Sequence, residues 1–246
     1  MSEPGDSFSG SGDDALARTL ELLTCGELDI EGRMPWSSNA TFLVTICHDD
    51  GKAQAVYKPG RGERPLWDFP AGLYRREVAA WHLSEELGWG LEPPTILRTG
   101  PYGEGSLQLF VPAHFEEHYF TLYEQREDLH ARLRAVCAFD LLANNTDRKS
   151  GHVLLGQDGA IYAIDQGLCF AVPDKLRTVI WEFSDEPVDA GLVADVSRIA
   201  EAVPPVMTEF LHDDEIEALQ ERAMRVVDHP KFPRDNTGHR YPWPLV

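Results

Sequence analysis

Positive charge is scarce in this chain of 246 residues: 22 Lys and Arg stand against 41 Asp and Glu, a formal net charge of −19. That balance excludes nucleic acid as an expected partner, because phosphate backbones are bound by neutralising basic groups. It also disfavours an anionic membrane surface, which usually recruits clustered Lys and Arg. No apolar run approaches the length needed to cross a bilayer, so no transmembrane segment is expected. The Gly/Ser/Asp-rich start lacks a basic region followed by an apolar stretch. A disordered tail over residues 1–12 and a cytoplasmic location are therefore expected. The four cysteines (Cys25, Cys47, Cys137, Cys169) form no C-x-x-C, and buried free thiols in a reducing compartment are expected. No G-x-G-x-x-G or G-x-x-x-x-G-K-[ST] occurs, so dinucleotide-binding and P-loop chemistry have no motif behind them. There is no internal repeat.

What is present is a pair of carboxylates flanking a short β-type stretch. Asp147 lies in the polar loop Asn144–Lys149, and Asp165 opens an Asp165-Gln166-Gly167 turn at the end of an apolar strand. Phosphoryl transfer uses such a pair, one carboxylate orienting the attacking hydroxyl and the other holding the metal that neutralises the phosphates. The kinase catalytic loop places a metal-binding Asn five positions after its Asp, and here that position is His152. Upstream, Gln54-Ala55-Val56-Tyr57-Lys58 reads as a strand ending in lysine, similar in form to the strand whose lysine grips the ATP phosphates. A Pro/Gly-broken loop follows, then Leu73–Leu87 reads as a helix with Val78 and Trp81 on a packed face. Glu77 in its first half is placed to orient Lys58, whose flexible stem needs a partner. Taken singly, Lys58 and Glu77 read as surface charges; the order of all four features points to a kinase site.

The residues Tyr57-Lys58-Pro59, Arg76-Glu77-Val78-Ala79-Ala80, Pro93-Pro94-Thr95, Asn145-Thr146-Asp147-Arg148 and Ala163-Ile164-Asp165-Gln166-Gly167-Leu168 carry a resemblance. The chain resembles the phosphatidylinositol 3- and 4-kinase superfamily, most of all the type II phosphatidylinositol 4-kinases, over roughly residues 56–170. It is also similar to an uncharacterised actinobacterial family with distant likeness to these lipid kinases. The resemblance implies an α+β, two-lobed protein-kinase-like fold, with a small β-rich N-lobe (13–112) and a mainly helical C-lobe (113–246). It implies that Lys58 contacts ATP phosphates, Glu77 positions Lys58, Asp147 is the catalytic aspartate and Asp165 binds metal. The chain departs from the pattern at His152, where such families usually carry Asn. It departs again at Lys149, where the 3-kinases carry His. Imidazole suits Mn²⁺ better than Mg²⁺, so either ion is expected with ATP, and His152 is a second ligand or a neighbour of one.

Around this frame, Asp13–Leu23 reads as a helix and Thr41–Ile46 as a strand, and residues 32–39 are placed to cover the phosphates. Ser106–Val111 reads as a strand leading to a hinge, with Leu109, Phe110 and Val111 expected to flank the adenine. Helices are expected over Asp128–Leu142, Ala190–Ala202 and Asp213–Val227. Arg148 and Lys149 are expected to stabilise charge on the transferred group. Arg61, Arg64, Arg75 and Arg76 fall close together and read either as a local basic patch or as solvated charges around the lysine loop. His114-Phe115-Glu116-Glu117-His118 matches H-x-x-E-H, a zinc-protease pattern on a helix, and ranks below the kinase reading. The acceptor is an open hydroxyl: a lipid head group, a protein side chain or a metabolite. The alternatives are a protein Ser/Thr kinase and a nucleotide-binding pseudokinase scaffold.

Overall fold

The computed structural model describes residues 12–35, 37, 39–49 and 51–245. The tail expected over residues 1–12 lies outside them except for Gly12, which begins the first helix. Helix α1 (Gly12–Cys25) is followed by strands β1 (Glu27–Arg33), β2 (Phe42–His48) and β3 (Gly51–Pro59), then α2 (Leu73–Leu87), β4 (Thr95–Gly100) and β5 (Gly103–Leu109). The strands form one antiparallel sheet in the order β1-β2-β3-β5-β4. Alternation in β2 and β3 sends Val44, Ile46, Ala55 and Tyr57 inward, where they meet Leu107 and Leu23 in a small core. Lys58 sits opposite Ser106 on β5. β5 carries glycine at position 105 because a Cβ there would run into the Lys58 carbonyl.

Helix α2 is flanked by Gly72 and Gly88, both left-handed, where glycine is the residue that tolerates such φ. Nearly every face of it is buried, because it is wedged between the sheet and the rest of the chain. The chain leaves β5 through residues 110–112 and enters the helical lobe at a bridge between Ala113 and Gly156. That lobe holds α3 (Tyr119–Gln125), α4 (His130–Ala143), the hairpin β6 (Val153–Leu155) and β7 (Ile161–Ala163), α5 (Ala190–Glu201) and α6 (Asp213–Asp228). Its large core gathers Leu133, Phe139, Leu142, Phe170, Phe183 and Leu219 with the inner face of α2. The architecture is α+β and two-lobed, as expected.

Several local expectations change. Of the loop expected to cover the phosphates, Gly32 and Arg33 belong to β1, and Trp36 and Ser38 lie outside the described residues. The His114–His118 stretch is not helical: α3 begins at Tyr119, with the His118 N–H bonded to the Thr121 hydroxyl. The two histidines therefore do not share a helical face, and the zinc-protease pattern is an accident of sequence. Among the four free cysteines, Cys137 and Cys169 are buried but Cys25 and Cys47 are exposed. Among the described residues no helix is long and apolar enough to cross a membrane.

Candidate active site

The end of β3, the first half of α2 and the turn after β7 converge. Lys58 Nζ lies 2.6 Å from Glu77 Oε1 and 2.9 Å from Asp165 Oδ1, a contact between residues 107 positions apart. Glu77, only 4% exposed, also accepts the backbone N–H groups of Gln166 and Gly167, both at 3.1 Å. One carboxylate thus holds both the lysine and the turn that carries Asp165. Glycine at position 167 fits that grip, since a Cβ there would stand 3.3 Å from Glu77 Oε1 and from Leu73 Cβ.

Burial alone would depress the Lys58 pKa, but the carboxylates of Asp165 and Glu77 outweigh it and leave it above the ordinary lysine range. Asp165 is held well below the usual carboxylate range by the Lys58 ammonium, against the opposing effect of burial. Burial pushes Glu77 up, and Lys58 pulls it back. The outcome is a charged lysine against an ionised, half-exposed Asp165.

Helix α4 delivers the other half of the site. It stops at Asn144, whose left-handed backbone (φ 49°) suits asparagine at a helix end. The loop that follows is sewn to the Asp165 turn by Thr146 N–H to Leu168 O (3.1 Å) and Phe170 N–H to Ala143 O (2.6 Å). Asp147 lies partly exposed on this loop, 2.9 Å from Lys149 Nζ. Burial raises the Asp147 pKa, Lys149 opposes that, and the Asp165 charge adds to it. A carboxylate shifted upward in this way is suited to take a proton from a hydroxyl.

His152 lies beside Asp165. Its Nδ1 accepts the Lys149 backbone N–H at 3.4 Å, and its Nε2 lies 3.5 Å from Asp165 Oδ2. Burial lowers its pKa to about 4 despite the attraction of Asp165, so the ring is neutral near pH 7. With Nδ1 facing a donor, the single ring proton belongs on Nε2, pointing at Asp165. That polarity leaves no lone pair on Nε2 for a metal and does not fit the ligand expected there. Asp165 does fit: it is ionised, half-exposed and oxygen-bearing, the type of ligand Mg²⁺ combines with substrate phosphates and water. Among the described residues no group of three or more His, Cys, Asp or Glu side chains is arranged to hold a metal alone.

Three other expectations are corrected or refined. Arg148, expected beside the transferred group, is fully buried and turned into the core. It donates to Asp140 through Nε and Nη2 (2.9–3.0 Å to Oδ1), to Ile164 O (2.9 Å) and to Gln166 Oε1 (3.0 Å). It therefore has no route to a phosphate. Arg76 is also buried, paired with Glu215 of α6, so it is not a solvated charge. Leu109, Phe110 and Val111 are partly exposed and form the crossing between lobes, with Phe110 N–H bonded to Gln54 O at 3.0 Å. Sequence reasoning missed Gln166 and Asn145, both buried and hydrogen-bonded to each other between the two carboxylates.

No family model matches the chain. It is 41% identical to Protein Rv2133c of Mycobacterium tuberculosis, in an alignment covering 93% of this chain and 98% of that protein. Among solved structures it is similar to the Helicobacter pylori proinflammatory kinase CtkA, with a TM-score of 0.52 and 12% identity over 85% of this chain and 94% of that one. It is also similar to hydra Fam20 with sugar, with a TM-score of 0.54 and 14% identity over 90% of each chain. These likenesses establish a kinase-like fold and do not single out the phosphatidylinositol kinases.

Proposed function

The chain belongs to the family of Protein Rv2133c, and we propose that it is an ATP-dependent phosphotransferase of the phosphatidylinositol 3-/4-kinase-like type, acting on a hydroxyl acceptor. The observation that carries this reading is the three-way contact of Lys58, Glu77 and Asp165 in a kinase-like fold. Adenine would lie against Leu109, Phe110 and Val111, where the chain crosses between lobes. Lys58, fixed by Glu77, orients the α/β-phosphates. Asp165 would hold a divalent ion, Mg²⁺ or Mn²⁺, whose chemistry is to neutralise charge on the phosphates. His152 donates to Asp165 and so orients it. Asp147 accepts the proton of the acceptor hydroxyl as the new O–P bond forms and the bond to the leaving ADP breaks. Lys149 balances the charge that gathers beside it. The acceleration comes from positioning and fixed charge rather than from covalent chemistry.

The test is calorimetric titration with Mg-ATP and Mn-ATP. Wild type should bind, while Lys58→Met and Asp165→Asn should bind weakly yet melt cooperatively. Unchanged binding in both variants would place the nucleotide elsewhere. A second reading, a nucleotide-binding scaffold, is favoured by one observation: the His152 ring presents Nδ1 to the Lys149 N–H and Nε2 to Asp165, so it adds no ligand where the kinase pattern has a second one. Binding of ATP without transfer to any acceptor would select it.

A further inference from the structure

Gln166 occupies the middle of the Asp165-Gln166-Gly167 turn and has no solvent exposure. Its Oε1 accepts from Asn145 Nδ2 (3.0 Å), Arg148 Nη2 (3.0 Å) and the Cys169 thiol (3.3 Å). Its Nε2 donates to Glu92 Oε1 at 2.5 Å, just ahead of β4. Three donors around one end and a carboxyl at the other permit a single orientation of the amide. Asn145 is fixed in turn, because its Oδ1 accepts the Asp147 backbone N–H at 2.9 Å. A continuous buried chain therefore runs from Glu92 through Gln166 and Asn145 to the backbone of Asp147.

The same residue bears on Asp165. Asp165 adopts φ of 64°, a left-handed conformation that aspartate reaches more readily than most non-glycine residues and that fixes the direction of its carboxylate. Glu77 grips the backbone amides that follow it. The Gln166 side chain anchors the same turn to Asn145, Arg148 and Glu92. Both carboxylates of the proposed reaction are thus referenced to one buried amide.

We infer that Gln166 is a positioning residue that sets Asp147 relative to Asp165, acting through Asn145. Its kinetic consequence rests on the phosphotransferase reading; its structural consequence does not. Glu77 and Lys58 are untouched by a change at the Gln166 side chain, so nucleotide binding should survive while the Asp147 loop loosens. Gln166→Leu keeps the size and removes the hydrogen bonds. Native-state amide exchange should then show the Asp147 N–H exchanging at least about ten-fold faster, with the Gly167 N–H, held by Glu77, changing less than about two-fold. Turnover should fall at least about ten-fold with KM for ATP nearly constant, a transition-state loss rather than a binding loss. Asn145→Ala should give the same pattern and add little when combined with Gln166→Leu, because both break one chain.

Gln166→Glu sets two carboxyl groups against each other and should also loosen the loop. Adding Glu92→Gln supplies an amide donor in place of the carboxyl and should restore protection at Asp147. That rescue decides the matter even if Gln166→Leu fails to fold. Unchanged Asp147 exchange, additive effects of Gln166→Leu and Asn145→Ala, or loosening spread evenly over the lobe would overturn the inference. Should wild type transfer phosphate to no acceptor, the functional reading fails while the exchange experiment still returns its answer.

Discussion

Replacing Arg148 by Met separates a structural arginine from a catalytic one. The guanidinium and Asp140 are both fully buried and joined at 2.9 Å. Met fills similar volume but leaves the Asp140 carboxylate with the Thr178 hydroxyl at 3.0 Å and the Asn145 amide as neutral side-chain donors in place of the guanidinium. It also strips a donor from Ile164 O and from Gln166 Oε1. Breaking a buried pair from one side costs about 3–5 kcal/mol, because a charge is stranded in the core. For a chain of this size each kcal/mol lowers the melting temperature by about 2–4 °C, so a drop of roughly 6–20 °C is expected. Urea and thermal denaturation at neutral pH measure it. The double variant Asp140→Asn with Arg148→Met should lose less than the two single losses together, since the stranded charge is gone. ATP affinity, measured well below the melting point, should stay close to wild type. An Arg148→Met protein that melts like wild type but has lost turnover would put the arginine back at the transferred phosphate.

Glu77→Gln removes the carboxylate that holds Lys58 while keeping its shape. Losing a charge-assisted hydrogen bond of about 1.5–3 kcal/mol predicts ATP binding weaker by roughly 10- to 150-fold in calorimetry. An affinity equal to wild type would show that Lys58 needs no partner. His152 governs a pH dependence of stability. Its pKa is lowered to about 4 in the folded protein, from about 6.5 when unfolded, so its contribution is present above pH 6.5 and is lost as pH falls toward 4. The slope is about 1.4 kcal/mol per pH unit in that window, and His152→Asn should abolish it in urea titrations. Equal slopes in the two proteins would mean that His152 is not buried as described.

Much of the site was legible in the sequence because its signals are local. Strand alternation up to Lys58, the glycines bracketing Leu73–Leu87 and the turn at Asp165 each declare themselves within a few residues. What was not legible depends on distant partners. Arg76 finds Glu215 139 positions away, and nothing near Arg76 announces it. Arg148 left one clue: Asp140 is a carboxylate set among the apolar residues of α4, a placement that demands a buried counter-ion. β1 was missed because it lies at a sheet edge and most of its side chains meet solvent, which erases the apolar alternation. Gln166 gave no signal, since a glutamine's role depends wholly on what surrounds it.

The decisive measurement is transfer of labelled γ-phosphate from ATP to an acceptor drawn from lipid head groups, hydroxyl-bearing proteins and small metabolites, with wild type and Asp147→Asn compared side by side. Phosphoryl transfer by wild type should fall by about two to four orders of magnitude in Asp147→Asn, the range set by a positioned acid–base group. ATP affinity should be nearly equal in the two proteins. Equal transfer by both on a verified acceptor would contradict the assignment of Asp147, and with it the chemistry proposed for this cleft.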